Sequence, residues 1–451
     1  MTLIEEALRH TTDTKACVIG AGTVESAARM FRGLFPEARR AIVVEDPRTR
    51  AAAGTRVTEL LRAAGVEPAE YVIEPGGGWF HAEYARVEEV RGAIAAVSGA
   101  IPVAVGSGTI NDLVKRASEE LGLRYIVVGT AASMDGYTSY GAAITKDGMK
   151  QTLACKAPLG CLVDSAIAAA APKEMVASGY ADLLAKIPAG ADWILADAIG
   201  AEAIHPLAWK LVQGPLRESL SNPAGVAAGD IAETEKLCSG LVMSAFAMQA
   251  MGSSRPASGT EHQVSHYWDM EDLAFDGRPV SHGFKVGIGT LISTKTIEFL
   301  LRQDLANLDV EAAVARWWPD FATVAATFPK VFGSRPAHIR RANEEYPKKF
   351  TTRDALRREL SAVKAMWPDL SARMRAQLMP FEEVRENLRK VGAPYEPEMI
   401  GVTRERFRET YRGVPYMRAR YFSLDLVDRL GLLDQLIDEL FGPGGVWEVR
   451  G

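Results

Sequence analysis

Three of the chain's seven histidines crowd into two neighbouring stretches, GSSRPASGTEHQVSHYWDM (252–270) and VSHGFKVGIG (280–289). An imidazole nitrogen can bind a divalent metal or move a proton near neutral pH. On a helix, residues four apart share a face, so His262 and His266 can address one point. The bland alternative is a histidine pair on a helix surface or in a satisfied core. What weighs against it is company. His282 stands beside Gly283, where the missing side chain permits close packing. Asp182 lies in SGYADLLAK (178–186), amid small and apolar residues. A carboxylate buried there without a partner would be costly, so it requires a cation or a hydrogen-bond network. Two imidazoles and one carboxylate, with a position left open, form a ligand set for a catalytic divalent metal.

Such groups need elements to hold them, and the first 165 residues supply a rhythm. KACVIG (15–20), RAIVVEDP (40–47), EYVIEP (70–75), IPVAVGSG (101–108) and RYIVVGTAAS (124–133) read as five strands, separated by helical patterns. Strands that are continuous apolar runs indicate a parallel sheet covered on both faces. Right-handed crossovers then give a doubly wound arrangement. The segment 141–164 breaks the rhythm, and its KDG turn predicts a small hairpin that leaves the sheet. From 165 onward, alanine-rich and amphipathic helical patterns dominate. The Arg- and Glu-rich last hundred or so residues read as solvated helix faces with ion pairs. The expected organisation is an α/β domain over 1–165 and an all-helical domain over 166–451.

Two loops fall at the carboxyl end of the expected sheet. VAVGSGTIND (103–112) runs from a strand through Gly106 and Gly108 to a helix start at Thr109. Backbone N–H groups there can approach an anion, helped by the helix dipole. Glycines in a tight turn serve purely steric ends equally well, and GAGTVES (20–26) is a rival turn of similar quality. GTAASMDGYTS (129–139) puts hydroxyl residues and Asp135 on the same rim. Asp46, at the end of the second strand, is placed either to hold an adenosine ribose or to cap the next helix.

Composition bounds the classes. At 451 residues about two domains are expected. A net charge of -5 argues against a nucleic-acid partner. The start MTLIEEALRH reads as neither signal peptide nor anchor, and no uncharged apolar run approaches the roughly 20 residues of a membrane span. Cys17, Cys155, Cys161 and Cys238 show no CxxC pairing and read as reduced thiols of a cytoplasmic protein.

GSGTIND, TAASMDGYTS, SGYADLLAK, GSSRPASGTEHQVSH and SHGFKVGIG, in this order, resemble the sn-glycerol-1-phosphate dehydrogenases, including the bacterial kind found near arabinose operons. That family sits among the iron-containing alcohol dehydrogenases, glycerol dehydrogenase and dehydroquinate synthase. The resemblance covers about residues 15–300, with an echo in YFSLDLVDRLGLLDQLID near the end. It implies a Rossmann-like α/β N-terminal domain, an all-α C-terminal domain of the dehydroquinate synthase-like kind, and a cleft between them. By position, Gly106, Ser107, Gly108, Thr109 and Ile110, with Thr130, Ala131, Ala132 and Ser133, would contact NAD or NADP. Asp46 would sit at the ribose and Ser139 nearby. Asp182, His262 and His282 would bind one divalent metal, zinc or nickel. Asp135, Asp182 and His266 would face substrate, which makes His266 a substrate contact and no ligand.

The reaction so implied is interconversion of dihydroxyacetone phosphate and sn-glycerol 1-phosphate, with Asp182 and His266 as the catalytic pair. A small phosphorylated substrate needs a cation, and Arg255, Lys186 and Lys285 are the basic residues within the matching motifs, Arg255 having the fork suited to phosphate. Arg48, two residues past Asp46, leaves NADP open. The family implies a homo-oligomer, a dimer or larger. Competing readings are a dehydroquinate or inosose synthase-like lyase, a glycerol dehydrogenase, and a binding protein that kept the scaffold. The lyases carry a glutamate where this chain has Asp182. The chain also departs from the family by added helical material between about 310 and 400.

Overall fold

The structure, a computed structural model, describes residues 2–74, 80–146 and 149–450, without the side chains of Met149 and Lys150. Among the described residues, eight strands occupy the first part: β1 (Ala16–Gly20), β2 (Arg40–Glu45), β3 (Glu67–Val72), β4 (Ala100–Gly106), β5 (Ile126–Gly129), β6 (Ala142–Lys146), β7 (Met149–Leu153) and β8 (Gly160–Asp164). Six of them form a wholly parallel sheet in the order β1-β8-β5-β4-β2-β3. The interior strands are buried almost residue for residue, as in IVVG and GCLVD, which is why they read as unbroken apolar runs. One face packs Phe31, Val57 and Leu61 from flanking helices against Val43, Val103, Val128 and Leu162. Each such fully buried side chain stabilises the fold by about 1.5–3 kcal/mol.

Two expectations need correction. The stretch 141–164 leaves the sheet only as far as Leu153, in the antiparallel β6–β7 hairpin. Its last five residues return as β8, inserted between β1 and β5. A strand buried between two neighbours carries no turn or alternation signal that tells it from the end of a hairpin. The third strand begins at Glu67, earlier than EYVIEP suggests, because it is an edge strand. There a proline and outward charges are tolerated, and an apolar-run criterion misses them. Pro75 of that stretch and Asp147 and Gly148 of the KDG turn lie outside the described residues.

The chain divides into two compact units. One comprises Met1–Leu183, Pro206–Ala257 and Lys390–Ala393, the other Leu184–His205, Ser258–Arg389 and Pro394–Gly451. Packing therefore counts the helices Lys173–Leu184 (to Leu183), Pro206–Ser219 and Ile231–Met251 with the sheet, whereas composition alone draws its line after residue 165. The second unit is helical save for a two-residue antiparallel pair at 274–275 and 278–279. Its late helices carry the expected exposed ion pairs, such as Arg357 with Glu311 and Arg412 with Asp434. No helix among the described residues is long and apolar enough to cross a membrane. All four cysteines are free thiols, Cys17 and Cys161 facing each other across β1 and β8.

One charged residue sits inside the first unit without a full set of partners. Glu45, the last residue of β2, is fully buried, and neither carboxylate oxygen accepts a hydrogen bond. Arg50 Nε stands 3.5 Å away but is shared with Glu70. Desolvation, followed by repulsion from Glu70, pushes the Glu45 pKa up to about 7. The folded chain therefore holds a proton that the unfolded chain releases above about pH 4.5, and stability falls as pH rises between these values. Glu45→Gln, neutral and of the same shape, is expected to be more stable than the parent at pH 8 and to show no gain at pH 5. Urea unfolding at the two pH values checks this, and an equal difference at both would contradict it.

Candidate metal and cofactor site

In an all-parallel sheet every strand ends on the same rim, so the loops after β1, β2, β4 and β5 lie along one edge. After β4 the chain turns at Gly106–Ser107 into the helix Gly108–Glu120. Ser107 is the N-cap residue, but its side chain makes no capping bond. The first-turn amides thus lack side-chain acceptors, and Ser107, Gly108 and Thr109 are partly open to solvent. Ile110 is buried and fills the space beside Gly106. After β5, Thr130 N–H donates to Gly106 O at 3.1 Å, tying the two loops together. Thr130, Ala131, Ala132 and Ser139 are buried, while Ser133 is half-buried. Asp46 does cap the next helix: its Oδ1 accepts the N–H groups of Arg48 and Thr49, each at 2.8 Å.

Asp182 is carried by the helix Lys173–Leu184, whose approach to the β5 loop is set by Gly179. A Cβ at Gly179 would stand 2.0 Å from Ala132 O, so only glycine lets the helix come this close. One turn further on, Asp182 is fully buried, and its Oδ2 accepts the Asp135 N–H at 3.1 Å. Asp135 is in turn held by Ser244, whose hydroxyl donates to Asp135 Oδ2 at 2.8 Å. The loop that lies against the glycine turn therefore also orients the candidate ligand.

The histidines are set by a second close approach. A Cβ at Gly289 would meet Glu261 O at 2.3 Å, so the helix His282–Leu301 lies directly on the helix Thr260–Asp269. The His262 and His282 rings then stand 5.4 Å apart, centroid to centroid. His262 Nδ1 lies 2.8 Å from Glu261 Oε1, which also accepts the Gly259 N–H at 2.6 Å. An acceptor carrying that load fixes the proton on Nδ1 and turns Nε2 into the lone-pair nitrogen. Asp192, buried nearby, takes Thr260 N–H and Oγ1–H on one oxygen and Ser423 N–H on the other. Desolvation and then Glu261 raise its pKa. One donor atom from each of Asp182, His262 and His282 lies within 4.8 Å of the others, a spacing that can hold a metal ion.

His266 is not in that group. Its side chain is 45% exposed, and its Nδ1 stands 3.5 Å from Asp269, which also pairs with buried Lys285. Desolvation by the surrounding protein lowers its pKa against the opposing pull of Asp269, so the ring is neutral near pH 7. The i, i+4 pair thus divides, one ring inward and one open to water. Arg255 and Lys186 are fully buried, so neither cation is open to solvent in this conformation. Sequence reasoning missed Glu261 and Ser244. Glu261 had a signal, its adjacency to His262; Ser244 had none, since its partner is over a hundred residues away.

A family model for iron-containing alcohol dehydrogenases matches residues 18–172. The glycerol-1-phosphate dehydrogenase [NAD(P)+] of Bacillus velezensis is 33% identical over 306 residues, 67% of this chain and 77% of that one. The protein of the same name from Bacillus licheniformis is 28% identical over 97% of this chain and 94% of its own length. Among solved structures, a probable glycerol dehydrogenase from Sinorhizobium meliloti 1021 superposes with a TM-score of 0.59 at 16% identity, covering 94% of this chain and 97% of that one. At that identity the likeness is one of fold.

Gly179 offers a direct test of the packing beneath Asp182. Alanine in a helix normally gains roughly 0.5–1 kcal/mol over glycine. Here overpacking against a backbone carbonyl costs about 1–3 kcal/mol, so Gly179→Ala is expected to lower stability in urea unfolding. A more stable variant would refute the close approach.

Proposed function

The chain belongs to the glycerol-1-phosphate dehydrogenase family, and from that membership we propose that it interconverts dihydroxyacetone phosphate and sn-glycerol 1-phosphate by hydride transfer with NAD or NADP. In this reading a divalent metal, zinc or nickel, is held by Asp182, His262 and His282. The observation that carries it is the grouping of one carboxylate and two imidazole donors within 4.8 Å. The residues suit such an ion. The set is of the mixed oxygen and nitrogen kind that catalytic divalent metals take, and Glu261 commits the His262 Nδ1 proton away from the centre. When bound, the cation supplies Lewis acidity toward the substrate oxygen, and the nicotinamide gives or takes the hydride.

The chain's own residues do the rest. The amides of Ser107, Gly108 and Thr109 at the uncapped helix start bind the pyrophosphate, with Gly106, Ile110, Thr130, Ala131, Ala132, Ser133 and Ser139 shaping the wall beside it. Asp46 caps with Oδ1 and keeps Oδ2 for the ribose, and exposed Arg48 can meet a 2′-phosphate. Asp135 orients the substrate while its N–H restrains Asp182. His266, held by Asp269 and reached by water, orients the substrate and passes the hydroxyl proton through water to solvent in oxidation, with the reverse path in reduction. Arg255, with the guanidinium fork suited to phosphate, is assigned to the substrate phosphate; it is fully buried. A homo-oligomer and a cytoplasmic location belong to the same reading.

The test is a panel of dihydroxyacetone phosphate, dihydroxyacetone and glycerol, each with NADH or NADPH or their oxidised forms. Turnover confined to the phosphorylated compound is expected. Preference for unphosphorylated glycerol would move the assignment to a glycerol dehydrogenase, and turnover of a sugar phosphate without net nicotinamide oxidation would favour a lyase. Asp182→Ala and His262→Ala are each expected to lose bound metal in elemental analysis; unchanged content in both would overturn the ligand set. Glu261→Gln keeps the shape and removes the charge behind His262. Its metal affinity, read by equilibrium dialysis, is expected to fall by about tenfold or more, and an unaltered affinity would remove Glu261 from the site.

A further inference from the structure

The Gly108–Glu120 helix buries a lysine that no reading of the site has used. Lys115 is 1% exposed, and its ammonium donates to three main-chain carbonyls of one loop: Gly136 at 3.0 Å, Ser139 at 3.2 Å and Gly141 at 3.0 Å. Burial alone pushes its pKa down, and Asp112 at 3.6 Å opposes that push. One turn earlier on the same face, Asn111 Nδ2 reaches the carbonyls of Gly136 and Tyr137 at 3.5 and 3.4 Å. Asn111 is itself fixed by the Tyr125 hydroxyl, which donates to its Oδ1 at 2.9 Å. Asp112 extends the seam by accepting the Ala143 N–H at 3.1 Å. From the loop side, the Tyr137 hydroxyl donates to Ala131 O at 2.8 Å.

Three carbonyls of one largely buried loop thus converge on a single ammonium of the neighbouring helix. Removing that ammonium would leave three carbonyls without this donor, so the backbone of 136–141 is held where Lys115 places it. What the loop carries makes the geometry matter. Asp135 lies one residue before Gly136, and its N–H holds Asp182 Oδ2. Ser139 is one of the three acceptors. The helix that supplies Lys115 begins with the amides of the glycine turn. We propose that Lys115 is a positioning residue: by clamping the carbonyls of residues 136–141 it holds Asp135, and through it Asp182, in register with the helix that opens at Gly108. This inference rests on the functional reading above, in which Asp135 and Asp182 face the substrate.

The clamp predicts a divided effect. Of the groups proposed beside the cofactor, Gly106–Ile110 are held by β4 and by their own helix and Ser139 alone lies in the clamped stretch, so the nicotinamide KM should change far less than kcat. The turnover number and the metal affinity, which depend on Asp135 and Asp182, should not be. In Lys115→Met, amide exchange of residues 134–141 is expected to quicken about tenfold while that of 40–45 is unchanged. With it, kcat falls by about tenfold or more while the nicotinamide KM stays within about twofold. Lys115→Arg, which keeps the charge and donors, should recover part of kcat. Parental exchange and kinetics in a folded Lys115→Met protein would overturn the proposal, as would equal losses in kcat and nicotinamide binding. Should Lys115→Met fail to fold, Asn111→Ala removes the weaker half of the same clamp. Faster exchange confined to 134–141 then supports the proposal, and parental exchange defeats it. Wild-type protein inactive on every member of the substrate panel would sink the functional reading, leaving the exchange data to judge the clamp alone.

Discussion

A charge removed from water must be met by something, and most of what is distinctive in this chain is built around that requirement. Asp182, Asp192, Glu261 and Lys115 are all essentially inaccessible to solvent. Each is surrounded by polar groups aimed at it: the Asp135 amide, the Thr260 and Ser423 amides, the Gly259 amide and His262 ring, and three loop carbonyls. Leaving any one of these ions unmatched would cost several kcal/mol, enough to remove a large part of the stability of an ordinary domain. The backbone around each therefore has little latitude, and that rigidity is what a precise donor geometry needs.

The two kinds of support are complementary. Around Asp182 the fixing is done by a loop, which a buried lysine and asparagine tie to the helix after the glycine turn. Around His262 it is done by helices in direct contact, with Glu261 locking the tautomer from behind. Both depend on a glycine where a Cβ would strike a main-chain carbonyl, Gly179 in one case and Gly289 in the other. Distance is set by what is missing from the side chain, and direction by hydrogen bonds.

Glu45 shows the same rule unmet. It is buried at the end of β2 with no hydrogen bond to either oxygen, and the fold accommodates it by favouring the protonated form. Its neighbour Asp46 has solved its own problem by capping a helix, an ordinary structural use that leaves one oxygen for a ligand. Adjacent acids at one strand end thus have opposite environments, since successive strand residues point to opposite sides of the sheet.

The sequence by itself settled the parallel sheet, through apolar runs that end in glycine turns, and it narrowed the site to a few residue types in recognisable strings. It misjudged where periodicity is silent: β8 looked like the end of a hairpin, and the start of β3 was hidden by its proline and charges. Four-residue spacing suggested that His262 and His266 act at one point, yet one turned inward and the other toward water. The family resemblance already implied that division and the grouping of Asp182 with His262 and His282, whereas only the tertiary structure decided the spacing of their donor atoms and the three carbonyls around Lys115. The reason is physical. Local pattern records which face of an element is apolar, whereas the partner of a buried charge is chosen by chain segments far away in sequence. Three of the decisive partners of these charges are backbone carbonyls, which every residue has and no sequence distinguishes.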